Sequence, residues 1–177
     1  YGIAHASGVF VTTQDADDTS HPHRISTQIN TLMRNSNAVA CACDYSRRDE
    51  NANLVLNRGL VKRLAYQALF WRREEVEVEI GYFDSVRAAA DDEFVNRIRL
   101  VFGRKGLLHI PISLYDALDR EGSLTNDPKH RAMLVTRTAS KDAHLSEPRK
   151  IYETGYQKWH DEIAEGASPR MPYPLTR

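Results

Sequence analysis

The chain has 177 residues, and its 24 Lys and Arg balance 24 Asp and Glu, so the formal net charge is zero. Hydrophobic residues make up 41% and charged residues 27%, enough apolar surface for a core, which excludes an intrinsically disordered chain. No apolar run approaches the roughly 20 residues that span a bilayer as a helix.

The charge is unevenly spread. Residues 1–21 carry three acids, Asp15, Asp17 and Asp18, and no Lys or Arg. Residues 22–73 carry nine cations against three acids, and residues 74–177 carry fifteen against eighteen. A basic middle points to an anionic partner, either an acidic protein or a nucleic acid. Cys41 and Cys43 lie too close together to frame a disulfide scaffold, so a reducing compartment is expected. The opening "YGIAHASGVF" has no initiator Met and no signal peptide, as in an imported protein whose leader has been removed or a chain that starts late.

In chain order, "GVFVTT" reads as a short strand and "TQDADDTSHPH" as turn material, so residues 1–23 form an extended arm. A helix begins near Ser26, with Ile25, Ile29, Leu32 and Met33 on one stripe, and continues toward "AVACACDY". The clearest helical pattern is "NANLVLNRGLVKRLAYQALFWRREE", where Leu54, Val61, Leu64, Ala65, Ala68 and Leu69 recur at helical spacing. Gly59 inside it costs about 1 kcal/mol relative to Ala, which implies a close contact there. "EEVEVEIGYF" alternates like a strand, but its Glu content and its flanks favour helix. "FDSVRAAADDEFVNRIRLVF" carries Val86, Phe94, Ile98, Val101 and Phe102 on a stripe. "IPISLYDALDREG" reads as a further helix, with Pro111 in its first turn and Gly122 at its stop. "IYETGYQKWHDEIAEG" suits a short helix, and "ASPRMPYPLTR" an extended tail.

Candidate chemistry is sparse in this pattern. His21 and His23 with Cys41 and Cys43 offer zinc-type ligands, but a Cys-x-Cys pair inside a helix points its thiols about 200° apart. The acid pairs Asp91/Asp92 and Glu74/Glu75 fall on charge-rich faces where solvation is the ordinary explanation. There is no Gly-x-Ser-x-Gly elbow, and Gly103 and Gly106 form no phosphate fingerprint. The residues therefore predict neither catalysis, cofactor nor metal. They offer instead a basic helix with interleaved aromatics, which suits a nucleic acid, an acidic partner helix or plain solvation.

Helix, Arg-containing segment ending in Phe102, short break and helix ending near Gly122-Ser123-Leu124 resembles the second and third helices of the LYR-motif family. Phe70-Trp71-Arg72 stands where the Leu-Tyr-Arg-like triplet belongs, and Ala65-Tyr66-Gln67 gives a second frame. The resemblance covers about residues 55–125. It implies a mainly α protein, a three-helix antiparallel bundle near 54–73, 84–102 and 112–121, with extended arms at both ends and α+β as the alternative. Residues 24–125 would be the helical core and residues 126–177 an extended tail with a short helix. It further implies a non-catalytic accessory subunit of a mitochondrial respiratory assembly, such as complex I, on the matrix side of the inner membrane. Neighbouring subunits and acyl carrier protein would meet Arg58, Lys62, Arg63, Tyr66, Trp71, Arg72 and Arg73, with Phe102 as the helix anchor. "INTL", "DYSRR" and "NRGLVKRL" are also similar to the small-subunit ribosomal protein fifteen family, where Asp44, Ser46, Arg47 and Arg48 would meet rRNA. A third possibility is an α+β domain with "GVFVTT", "EVEVEI" and "MLVTRT" as strands.

Overall fold

The computed structural model describes residues 1–56, 59–123 and 146–173. Its strands are β1 (Phe10–Thr12), β2 (Thr19–Ser20), β3 (Ala40–Asp49), β4 (Leu54–Val55), β5 (Lys62–Leu64), β6 (Phe70–Arg72) and β7 (Leu107–Asp119). Its α-helices are α1 (Arg24–Met33), α2 (Arg73–Glu79), α3 (Ala90–Phe102) and α4 (Glu147–Ala164). The seven strands form one mixed sheet in the order β1-β6-β3-β7-β2, with β4 and β5 added along the far half of β3. This replaces the expected three-helix bundle.

The centre of the sheet is β3, and both of its faces are covered. Ala40, Cys41, Ala42 and Cys43 are each 0% exposed. On one face Cys41 and Cys43 pack with Leu32 of α1, Phe70, Leu114 and Tyr115. On the other, Ala40 and Ala42 pack with Leu69, Trp71, Val76, Phe94, Val95 and Ile98. A strand buried on both faces shows no polar alternation, which is why this run reads as a continued helix. In a strand the two cysteines also point to the same face rather than apart.

Two of the expected helices give way to pairing partners of β3. The segment over 54–73 becomes β4, β5, a 3-10 turn at Tyr66–Ala68 and β6. Gly59 takes φ 75, which turns the chain and stops any helix there. The helix expected over 112–121 is instead the long strand β7, parallel to β3 from Ala40↔Leu107 to Asp49↔Asp119. Between Cys43↔Ile110 and Asp44↔Ser113 the register slips, which leaves Pro111 and Ile112 without Cα partners on β3. A proline has no N–H for the ladder and fits such a bulge. The "EVEVE" run is helical, in α2, with Val76 buried and Val78 61% exposed. The expected 84–102 helix survives as α3 but starts at Ala90. The possible strand at "MLVTRT" lies outside the described residues.

The N-terminal residues belong to this sheet: β1 pairs with β6 at one edge, and β2 pairs with β7 at the other. The α1 stripe is rotated from the expected one. Arg24, Gln28 and Leu32 are buried, while Ile25 is 40% and Met33 65% exposed. Polar side chains face inward here because they satisfy backbone and side-chain acceptors: Gln28 donates to the Ala68 carbonyl at 2.9 Å, and Arg24 to Thr12 Oγ1 at 3.1 Å.

Helix α4 docks on α3 through buried charge. Glu93 and Arg97 are paired at 2.7 Å with side-chain exposures of 1% and 0%, and His160 of α4 meets Glu93 at 2.9 Å. Arg97 also donates to the carbonyls of Ile80, Tyr82 and Pro169. Residues beyond α4 return to the core, where Met171 bridges to Gly81 in parallel. Gly81 has φ +72, and a Cβ there would sit 2.0 Å from the Met171 carbonyl oxygen, so no other residue fits. Among the described residues no helix is long and apolar enough to cross a membrane.

Two substitutions test this packing by denaturant unfolding. Phe94, 1% exposed and stacked on Phe83 at 4.1 Å, should lose about 3–5 kcal/mol of stability on change to Ala. Arg97→Met strands the Glu93 carboxylate in the interior and should also cost about 3–5 kcal/mol. The double change Glu93→Leu with Arg97→Met should cost less than Arg97→Met alone, because no buried charge is then unpaired.

Candidate active site

The carboxyl end of β1 opens into the loop Thr13 to Asp18, and the sequence there is acid-rich: Asp15, Asp17, Asp18. Polar bonds to three elements hold this loop. Thr12 Oγ1 donates to the Leu69 carbonyl at 2.7 Å, and Thr13 Oγ1 to the Gln67 carbonyl at 2.8 Å. The buried Arg24 guanidinium reaches Gln14 Oε1 at 3.2 Å and lies 5.6 Å from the Tyr115 ring centre. The Asp15 amide donates to the Tyr115 hydroxyl at 3.1 Å, and Asp18 Oδ1 accepts the Leu118 amide at 2.9 Å. Asp17 meets Arg120 at 2.8 Å, and that contact lowers its pKa.

Helix α3 brings a second set of acids to this loop. Its first turn carries Asp91, Asp92 and Glu93, where the helix dipole favours negative charge. Ala89 before it takes φ 68, the left-handed turn that aims the helix start. The two sets feel each other. Asp15 is open to solvent on one side, but protein crowding on the other and then the carboxylates of Asp18, Asp91 and Asp17 push its pKa up to about 6. Asp92 is half-buried and is likewise pushed up to about 6, first by burial and then by Asp91. Arg149 of α4 opposes that shift with an ion pair to Asp92.

Raised carboxyl pKa values have a definite sign in stability. A folded pKa of about 6 against an ordinary 3.8 means that the folded chain binds these protons more tightly than the unfolded chain. The contribution is favourable below about pH 4 and is lost as pH rises through 6. At neutral pH the cluster therefore holds ionised carboxylates against burial first and mutual repulsion second, and a bound cation would relieve both.

The residues expected to bind a partner are spread over the sheet. Trp71 is 0% exposed and packs edge-on against Phe94 at 5.6 Å. Arg72 donates to the Ala38 and Leu32 carbonyls at 3.1 and 2.8 Å, closing the end of α1. Arg73 donates to the Gly8 carbonyl at 2.7 Å. Tyr66 accepts a bond from Arg99 at 2.8 Å, and Lys62 meets Asp44 at 3.3 Å. Phe102 ends α3, half-buried, and Arg58 lies outside the described residues. Of the described residues in that set, Arg63 reaches the acid site electrostatically, where its charge opposes the rise in the Asp92 pKa. Of the ribosomal set, Asp44 meets His109 at 2.7 Å, Ser46 shares a 2.8 Å bond with Ser113, and Arg47 and Arg48 pair with Asp119 and Asp116.

Cys41 and Cys43 are buried free thiols, with Cys41 pushed up to about 12 by burial and by Cys43. Among the described residues no three His, Cys, Asp or Glu side chains gather closely enough to enclose a metal ion. A cleft of about 650 Å³ lined by Val9, Val39, Arg73, Val78 and Phe102 lies at the start of β1 and the end of α3. Both elements carry their acids at the other end. Sequence reasoning took the acid loop for an arm and Asp91/Asp92 for a solvated face. The available signal was the position of "DADD" directly after the strand "GVFVTT", since open sheets of this kind bind ligands beyond the carboxyl ends of their strands.

The family model for glycosyl transferase family 2 matches residues 1–95, a span that holds β1, the acid loop, Asp91 and Asp92. Among proteins with curated descriptions, none matches the chain. The match overturns the LYR-motif and ribosomal resemblances, and with them the non-catalytic respiratory or ribosomal role. The acyl carrier protein, the neighbouring subunits and the matrix-side location are implied by that resemblance alone. With more than half of its length under a model of an enzyme family, the chain belongs to glycosyl transferase family 2.

Proposed function

We propose that the chain transfers a glycosyl group from a phosphate-activated donor to an acceptor hydroxyl, at the acids beyond β1 and at the start of α3. The observation that carries the reading is the gathering of carboxylates beyond β1: Asp15, pushed up to about 6 by burial first, also feels Asp18 and Asp17 of its own loop and Asp91 from the start of α3. Groups with matched, shifted pKa values at one end of a sheet suit proton transfer and cation binding together.

The division of labour follows from the surroundings. Asp15 and Asp17 are the residues that would hold a divalent cation. Their oxygens are the hard ligands that Mg²⁺ or Mn²⁺ prefers, and such cations take only one or two carboxylates when donor phosphates and water complete the shell. A carboxylate at Asp15 that burial and its acidic neighbours both disfavour fits that role, and a closed cage of three protein ligands is not required. The cation would neutralise the departing phosphate. Asp92, ionised above about pH 6 and next in α3 to Asp91, which the loop's Asp15 feels, takes the proton of the attacking hydroxyl. The acceptor oxygen bonds to the anomeric carbon, and the bond from that carbon to the phosphate oxygen breaks.

The test uses the intact protein with Mn²⁺ and a panel of uridine, guanosine and deoxythymidine diphosphate sugars, reading nucleoside diphosphate release. Asp92→Asn should slow release by about 10²–10⁴-fold with donor affinity little changed. Asp15→Asn should weaken donor binding and its dependence on Mn²⁺. Wild-type rates in both variants contradict the reading, as does the absence of both turnover and Mn²⁺-dependent donor binding across the panel.

A further inference from the structure

We propose that Arg149 is the positioning residue for Asp92: from α4, beyond the family-matched residues, it holds that carboxylate in one orientation and in its ionised form, so that α4 completes the active site. The proposal rests on the reading of Asp92 as the proton acceptor.

The geometry is that of a built contact rather than a surface pair. The Arg149 side chain is only 12% exposed. One terminal nitrogen donates to Asp92 Oδ2, while Nε donates to Glu153 Oε1 at 2.8 Å. Two acceptors on one planar fork fix the direction of the guanidinium, which a single exposed pair does not do. Glu153 sits one turn along the same helix, so the fork is aimed by α4 itself. The helix in turn is fixed about three turns further on, where His160 meets Glu93 at 2.9 Å and Trp159 lies 5.0 Å from the Arg97 guanidinium. Glu93 follows Asp92 in α3, so the same docking that seats α4 also places the Asp92 backbone.

The charges around Asp92 make the contact matter. Asp91 on α3 and Glu153 on α4 oppose its ionisation, and Arg149 on α4 and Arg63 on β5 favour it. Tyr156 of α4 lies near enough to feel the Asp92 charge. Arg149 is the larger of the two cationic influences. Removing it therefore raises the pH at which Asp92 ionises, and a base that is protonated accepts no proton.

The experiment titrates the carbon-13 carboxyl signal of Asp92 in the ligand-free intact protein, with the signal identified by its loss in Asp92→Asn. In Arg149→Gln the midpoint should rise by about one unit or more from about 6. In Arg149→Lys it should stay near the wild-type value, because the charge remains, while kcat for nucleotide release falls because the fork is lost. The acidic limb of the pH–rate profile should move with the Asp92 midpoint in each variant. An unmoved midpoint in Arg149→Gln overturns the proposal. So does an Arg149→Gln rate that falls equally at every pH, which marks a merely structural role, or one that rises, which marks Arg149 as a mask over the base. Should Arg149→Gln fail to fold, Arg149→Lys still decides: a midpoint raised as far as the loss of the charge predicts refutes a role for the charge. Unchanged turnover in Asp92→Asn would count against the reading of the site instead, and the ligand-free titration would still report on Arg149.

Discussion

The burial of the first half of β3 on both faces, between two helical layers, is the constraint from which the site follows. Ala40, Cys41, Ala42 and Cys43 are small enough for α1 to close on one face and α2 and α3 on the other. With the central strand fixed, β6 and β7 take their places on either side of it, and β1 is set at the edge with its carboxyl end beside the start of α3. Burial of apolar surface thus brings together two runs of acid that would separate in water.

That juxtaposition is unfavourable by itself. Five carboxylates lie in the loop after β1 and the first turn of α3 before Glu93 is reached, and burial first and mutual repulsion second raise the pKa values of Asp15 and Asp92. The surrounding structure holds the acids in place by bonds that do not neutralise Asp15: Tyr115 accepts its amide, Leu118 fixes Asp18, and Arg120 engages Asp17. Strain retained at one point of an otherwise satisfied fold is a feature of sites that act on a ligand. Proton transfer and cation binding are the two ways this site can release it.

Part of this was legible in the sequence. Helix α1 and the later portion of α3 were visible in the spacing of Ile29, Leu32, Phe94 and Ile98, because amphipathic helices advertise their period. The sheet was not. β3 is buried on both faces and has no alternation to detect, and β7 places Leu114 and Leu118 at helical spacing between Pro111 and Gly122, imitating a capped helix. The cations of residues 58–73 suggested a partner-binding helix, although Arg72 and Arg73 bond to backbone carbonyls of neighbouring segments. The acid loop was legible as composition, but its meaning depends on Asp91, which lies 76 positions further along the chain and reaches it only through the sheet. No local pattern encodes that distance.

The most direct measurement is a titration of the ligand-free protein with Mn²⁺ at pH 7.5, followed by paramagnetic broadening of the carbon-13 carboxyl signals of its aspartates. Asp15 and Asp17 should broaden first, at substoichiometric Mn²⁺. Asp161, about three turns of α4 beyond Arg149, should stay sharp at the same concentrations. Uniform broadening of all the aspartates, or broadening that begins at Asp161, would contradict a cation site at the end of β1.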